Sequence, residues 1–583
     1  MAISLRNSSL TTKINTYLNL KLFSLAAIGG IAIGSAVAFI RTLVGYIQII
    51  LFGVEVNTHS ANTSWERILI VTTLGGLFLG FLLVLIGRYG RLTPVDPIEA
   101  NAVNGGKMSL IDSLSFVGLS IVSISIGGSV GFEAAMTQLG SGTLSTIGQR
   151  LKLDRQELRM LVSCGTGAGI AAIFGAPLAG TFYALELVVG GYATRALMPT
   201  LLASALSSFM VYIFLGYEPL FKANIAENPT LWHFPLAIFT GFLAALVGII
   251  VMRGTTGFES LLKKQKIPAF LKPVIGGFLL GLLALIVPQV MGPGHYGINE
   301  ILAGSKMLKV TVLILVAKIL ASVVCVGSGF RGGLFSASLF LGAILGCIIH
   351  YVITIPLFGN IIPLDLTVVA GMSGVAASII GTPAAIILLL LETANLNLGV
   401  FSTIVTVIVS SLLTRYFFGY SFSTWRFHIR GSDITGPQDI GRLKALTFGD
   451  LPLIKLPSIM SNTSIAEAAE IAHRVQAQYL AIKDNKGKFI GLTSNQLVTL
   501  ELGKASPLSL CNLIEKNIPC VYQKESIVKY VDSIKENKIK SLAVIDQNQH
   551  FIGLVSQVSI LRRYLTEILA VQEEELEQFG QKS

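Results

Sequence analysis

The 583-residue sequence predicts an α-helical polytopic membrane protein built from two related halves with broken helices, followed by a soluble α/β domain. Three observations carry that prediction. Charged residues make up only 13% of the chain and hydrophobic ones 52%, with a mean hydropathy of +0.71, whereas a soluble domain carries about 25% charge. Long apolar runs fill residues 20–431 and then stop. A Gly-x-Pro break followed by a glutamate occurs twice within those runs. This composition excludes a soluble enzyme of such length, and no catalytic activity is expected.

The balance of 43 Lys and Arg against 32 Asp and Glu gives a net charge of +11. In a membrane chain such an excess gathers in cytoplasmic segments and sets orientation, so no nucleic-acid partner is expected. Arg6, Lys13 and Lys21 flank the first apolar run, and Arg415, Arg426 and Arg430 flank the last, which predicts cytoplasmic termini. The five cysteines, Cys164, Cys325, Cys347, Cys511 and Cys520, are scattered without a CxxC pair, so neither a disulfide framework nor a zinc site is expected. The opening MAISLRNSSLTTK lacks the apolar core of a cleaved signal peptide.

Residues 1–19 read as a cytoplasmic segment. Stretches 22–52, 68–86, 234–251, 273–290 and 398–413 are long enough, at about 1.5 Å per residue, to cross about 30 Å of hydrocarbon. Stretches 127–142, 165–190, 325–347 and 371–394 are cut by Gly and Pro. Interrupted helices survive in a membrane where their backbone lines a cavity or is buried in protein, so these are the places to seek a site.

Laying 165–186 over 371–392 needs no gap and matches eight of 22 positions. The matches include Gly165/Gly371, Gly175/Gly381, Pro177/Pro383 and Glu186/Glu392. Upstream, Gly131, Ala135, Leu139 and Gly140 correspond to Gly333, Ala337, Leu341 and Gly342. The membrane part is thus two homologous copies, about 60–215 and 230–420, a pattern that points to transport through a site at their interface. Beyond 431 the chain turns polar. Residues 479–498 and 541–560 align at an offset of 62, sharing strand, turn and Phe-Ile-Gly-Leu, each after a helical stretch (465–477 and 527–537). Two α/β motifs, 444–504 and 508–569, and an acidic tail, 570–583, are expected.

These segments resemble the CLC family of chloride channels and proton-coupled chloride transporters with a C-terminal pair of CBS motifs, over about residues 20–569. The core Gly-Ala-Pro-Leu-Ala-Gly of 175–180 and the paired 381–392 carry the resemblance. It implies the CLC fold of inverted-topology repeats, a homodimer in the lipid bilayer of the plasma or inner membrane, and chloride or similar anions as the transported partner. No cofactor or metal is implied.

The resemblance also implies site residues. Glu133, in Gly-Phe-Glu-Ala-Ala, falls at the gating glutamate, with Ala134 and Ala135 where the family has Gly and Pro. Physically, a carboxylate in an apolar segment needs a cavity or partner; ionised, it competes with an anion held by helix N-termini, and protonated, it lets go. The alternative is a cap for its own helix. Phe335 and Ser336, in Gly-Leu-Phe-Ser-Ala, fall where backbone N–H groups hold the anion. Thr93 falls at the anion-facing serine, or else is a cap before Pro94. Ser423 takes the place of the central tyrosine, with Tyr420 as the alternative. Leu187 takes the place of the acid that relays protons in the transporter branch, leaving Glu186 as a proton route or a structural helix end.

Leu187 and Ser423 favour a passive, glutamate-gated pathway, the alternative being exchange of chloride for protons; voltage gating is implied by the family resemblance alone. A fluoride exporter and a CBS-regulated cation transporter are remoter readings. The cation reading would need a cluster of acids, but the apolar segments offer only Asp112, Glu133, Glu186 and Glu392. A membrane-embedded protease would need nucleophile-base pairs or His-Glu-x-x-His, which the seven histidines do not form. In the CBS pair, Leu497 and Ser559 stand where a ribose-binding Asp is usual, so adenine nucleotide is not expected to bind.

Overall fold

The computed structural model describes residues 2–54, 63–89, 94–216, 220–223, 231–304, 308–394, 399–430, 446–504, 510–514, 519–531 and 541–578. The chain divides into two units, Met1–Gln438 and Asp439–Ser583. Of the expected internal limits, 60, 230, 431, 444 and 508 lie outside the described residues.

The first half of the membrane unit comprises α1 (Ala2–Phe52), α2 (Trp65–Tyr89), α3 (Pro97–Ala102), α4 (Leu110–Ser125), α5 (Glu133–Arg150), α6 (Arg155–Phe174), α7 (Pro177–Ala184) and α8 (Thr194–Leu215). The second repeats it with α9 (His233–Lys264), α10 (Lys272–Ile286), α11 (His295–Leu302), α12 (Leu308–Ser328), α13 (Phe335–Ile349), α14 (Leu364–Ile380), α15 (Pro383–Thr393) and α16 (Val400–Phe417), and α17 (Phe422–Ile429) follows. Among the described residues, eight helices, including 20–52, 65–89 and 233–264, are long and apolar enough to span a bilayer. The run expected to span at 273–290 is a correction: α10 covers 15 residues, because Pro288 forces Val287 out of helical geometry (φ −137°, ψ 87°).

The repeated glycines and prolines explain the joints. α6 ends on Gly175 (φ 65°) and α14 on Gly381 (φ 80°), left-handed positions that cost glycine no Cβ clash. Two residues later Pro177 and Pro383 open α7 and α15, where a missing N–H costs nothing. α5 crosses α6 at Gly140 and Gly165, and α13 crosses α14 at Gly342 and Gly371. A Cβ at any of the four would overlap the opposing backbone, so small residues set these close crossings.

The halves are tied by exchanged caps. The carboxylate of Glu392, near the end of α15, accepts the N–H groups of Leu178 and Ala179 at the start of α7, both at 2.9 Å. Glu186, just past the end of α7, accepts those of Ala384 and Ala385 at the start of α15 at 3.1 and 3.0 Å. The helices therefore run antiparallel, as inverted repeats require. Each carboxylate neutralises the positive end of its neighbour and pairs two orphan donors.

In the soluble unit, β1 (Ser458–Met460), β2 (Tyr479–Lys483) and β3 (Phe489–Ser494) form one sheet, with β1–β2 parallel and β2–β3 antiparallel. The sheet of β4 (Cys520–Tyr522), β5 (Ser541–Ile545) and β6 (Phe551–Ser556) repeats it, Ser458 facing Ala481 as Cys520 faces Ala543. Helix α18 (Ile465–Arg474) connects β1 to β2, α19 (Asn495–Leu502) follows β3, and α20 (Gln557–Gln578) follows β6. The Phe489 and Phe551 rings of the repeated motif stack at 5.0 Å, a fold consistent with a CBS pair. Ser494 caps α19 through the Leu497 N–H, and Ser559 bonds to Ser556 at 3.0 Å, so the positions of the usual ribose acid carry no carboxylate.

Candidate functional site

Two broken helices begin at one point. Gly131 and Gly333 form an antiparallel bridge of two backbone hydrogen bonds, 2.8 and 3.0 Å long. Matching bonds flank it: Ser129 N–H donates to Cys325 Sγ at 3.4 Å and Arg331 N–H to Ser123 Oγ at 2.9 Å. The bridge aims the N-termini of α5 and α13 at each other. Glycine is needed because a Cβ on Gly131 would overlap the Glu133 carboxylate, and one on Gly333 would stand 3.3 Å from it.

Glu133 opens α5, whose N-cap residue Phe132 supplies no side-chain cap. Its Oε1 accepts the N–H of Ser336 at 3.1 Å and the Ser336 hydroxyl, both at the start of α13. Oε2 is buried with no hydrogen-bond partner among the described residues, and the side chain is 2% exposed. The carboxylate thus sits at the positive end of the other half's helix, where an anion would bind. It holds that place by charge-assisted bonds while half of its acceptor capacity stays unused.

A cavity of about 1080 Å³ gathers Glu133, Phe335, Ser423 and Leu187 from α5, α13, α17 and the turn after α7. Ser423 lies in the first turn of α17, whose cap is a reciprocal Ser421–Thr424 pair. Tyr420, the alternative, instead lines a second cavity of about 1140 Å³ and stacks on His428 at 4.8 Å. Leu187 and Ile98 line both cavities. An aliphatic side chain therefore stands between them, on a π-helical turn, Leu185–Val189. The Phe335 ring packs on Phe174 (4.9 Å) and Tyr183 (5.9 Å). Ser336 is engaged with Glu133 and is not part of the cavity wall. Glu186 spends both oxygens on α15 and on the Tyr192 hydroxyl, 2.8 Å away.

Thr93 lies outside the described residues. The cap of the following helix is Asp96, which accepts the Ile98 N–H at 2.9 Å with Pro97 at the first helical position. The Asp-Pro pair was the signal for it. Asp96 lines the same cavity, as do Tyr183, Arg331, Arg426 and Arg430. None of these was singled out as a site residue from sequence. Arg426 and Arg430 carried only an orientation signal, and Tyr183 looks like packing in an apolar helix. Gln138 fixes the Asp96 loop to α5, donating to the carbonyl of Val95 and the hydroxyl of Ser113, both at 3.0 Å.

Paired half-helices meeting at a buried carboxylate, with an arginine-lined cavity beside them, define a membrane protein with an anion pathway. Residues 75–415 match the voltage gated chloride channel family model, and the chain belongs to that family, whose members transport chloride as channels or as chloride/proton antiporters. It is 30% identical over 337 residues to a putative chloride channel protein ClcB-like from Ralstonia nicotianae, covering 56% of this chain and 77% of that one. It is 28% identical over 344 residues to the voltage-gated ClC-type chloride channel ClcB of Shigella flexneri, covering 57% and 78%. Among solved structures, a slow cyanobacterial Cl−/H+ antiporter superposes with a TM-score of 0.61 at 20% identity, over 70% of this chain and 97% of that one. A eukaryotic CLC transporter superposes with a TM-score of 0.60 at 16% identity, over 93% and 98%. These two likenesses establish the fold.

Proposed function

We propose that the protein is a passive, channel-like chloride pathway opened by protonation of Glu133, one pathway in each subunit of a homodimer, with both termini cytoplasmic. The observation that carries it is the Glu133 carboxylate docked on the start of α13. Ionised, it occupies the anion's place at converging helix ends; neutral, it leaves Ser336 N–H and the helix dipole to chloride. Arg331, Arg426 and Arg430 raise the local anion concentration in the cavity leading to it. Phe335 forms part of the wall, Ser423 offers a hydroxyl without a phenol's reach, and Thr93 is retained as a candidate anion ligand.

Passive flow is favoured over exchange because Leu187 separates the two cavities with an aliphatic side chain and Glu186 is committed to capping α15. A proton that reaches Glu133 then meets the aliphatic Leu187 between the two cavities, where the transporter branch of the family has an acid. The deciding experiment records chloride efflux and external pH together from proteoliposomes, with and without valinomycin. Chloride efflux without uphill proton movement is expected; proton uptake driven by a chloride gradient would replace this reading with the antiporter. Glu133→Gln is expected to give flux independent of pH.

A further inference from the structure

One polar contact of the gate leads away from the cavity. The Ser336 hydroxyl, which donates to Glu133 Oε1, also lies 2.8 Å from Nε2 of His295. A serine has one hydroxyl proton and gives it here to the carboxylate, so toward His295 its oxygen accepts and Nε2 carries the hydrogen. With the carboxylate ionised, the donation runs from His295 Nε2–H to Ser336 Oγ–H to Glu133 Oε1. Neither His295 nor Ser336 is in the cavity wall that holds Glu133.

The imidazole is held in position. It opens α11 immediately after Gly294, whose φ of 96° turns the chain, with Phe221 edge-on at 6.2 Å and Phe174 tilted at 6.3 Å. Lys318 of α12 fixes the preceding segment by donating to the carbonyls of Val290 (3.0 Å) and Gly292 (2.7 Å). The charged groups acting on His295 are Lys318 and Arg41 of α1, both cations. On the cavity side of Glu133 stand Tyr183 of α7, Arg331 before α13, Asp96 before α3, and Arg426 of α17 with Arg430 just past its end.

We propose that His295 is a positioning and proton-relay residue for the gate, exchanging a proton with Glu133 through Ser336 so that the anion pathway responds to pH from the face His295 serves. In the opening step His295, protonated only transiently beside the cations Lys318 and Arg41, passes its Nε2 proton to Ser336 Oγ while Oγ–H passes its own to Glu133 Oε1. Imidazolium and carboxylate become imidazole and carboxylic acid, the serine is unchanged, and two buried charges are removed. In the resting state a neutral imidazole protonated at Nε2 keeps the serine proton directed at the carboxylate and the gate docked. The inference rests on Glu133 being the gate, and the test separates the two.

The full-length protein is reconstituted in phosphatidylcholine/phosphatidylglycerol vesicles, and chloride efflux is followed while pH is varied on one face at a time. The unaltered protein is expected to gain flux as pH falls on one face. His295→Gln, which keeps an N–H donor but cannot titrate, and Ser336→Ala are each expected to move the midpoint by about one pH unit or more or to flatten the profile. Ser336→Thr is expected to restore it. Superimposable midpoints in His295→Gln and Ser336→Ala, with a flat profile in Glu133→Gln, would overturn the relay and leave the gate standing. A pH response that survives in Glu133→Gln would remove the gate itself, and the relay with it. Flux scaled equally at every pH would assign His295 to packing and overturn the relay. As a measurement independent of flux, the infrared carbonyl band of protonated Glu133, identified by its loss in Glu133→Gln, should titrate at a shifted pH in Ser336→Ala; an unmoved band overturns the proposal.

Discussion

Gly140 meets Gly165 in the first half as Gly342 meets Gly371 in the second, yet the residue that opens α5 is Glu133 and the one that opens α13 is Phe335. The same contrast recurs at α7 and α15. Glu186 and Glu392 cap each other's helix in matching geometry, but the next residue is Leu187 in one copy and Thr393 in the other. What the halves share holds helices together, whereas Glu133, Phe335 and Leu187, which they do not share, line the cavity. Packing constraints act equally on both copies of a symmetric frame, whereas one anion path needs a single gate. A carboxylate in both places would put two like charges at one point.

The largest expected effect comes from breaking the shared frame. Gly140→Leu and Gly342→Leu each force a side chain into an opposing backbone, costing about 3 kcal/mol or more. Neither variant is expected to give a monodisperse protein in size-exclusion chromatography; tolerance in one half alone would show the halves are not packed alike. Next come the exchanged caps. Glu186→Ala and Glu392→Ala each leave two N–H groups unpaired, costing about 1–3 kcal/mol. Thermal melts should fall by similar amounts for the two. If Glu186→Ala instead altered proton movement with no loss of stability, its structural role would be wrong.

Variants of the unshared positions should change transport more than folding. Ser423→Tyr places a ring in the cavity and is expected to slow chloride flux by about tenfold, or about 1.4 kcal/mol of barrier. Leu187→Glu puts an acid between the two cavities, and proton movement coupled to chloride is its expected gain, read from simultaneous pH and chloride traces. The smallest effect concerns the soluble repeat, where neither copy carries an acid at the ribose position. Millimolar ATP is expected to shift the melting temperature by under about 1 °C, and a clear stabilisation would show that a nucleotide site exists without those acids.

Local chemistry made much of this legible. The Gly-x-Pro joints, the matched glutamates and the Phe-Ile-Gly-Leu strands are backbone and capping signals, so they can be read from neighbours in the chain. Pro288 ending α10 is equally local and was passed over because the apolar run continued through it. Asp96-Pro97 is a local cap signal of the same form as Thr93-Pro94, three residues before it.

Other parts of the site had no local signal. Tyr183 and Arg331 line the cavity only because α7 and the loop before α13 meet there, and His295 reaches Ser336 across 41 positions of sequence. The amino-acid sequence by itself determined the membrane class, the duplicated frame and the gate candidate. The first two follow from hydropathy and backbone stereochemistry; the gate candidate is what the resemblance of Gly-Phe-Glu-Ala-Ala to the family motif implies, and the cost of a lone charge in an apolar segment agrees with it. Only the tertiary structure decided that Glu133 docks on the opposite half, that Glu186 is a cap, and that an imidazole stands behind Ser336. Each of these is a hydrogen bond between elements whose separation along the chain says nothing of their distance in space.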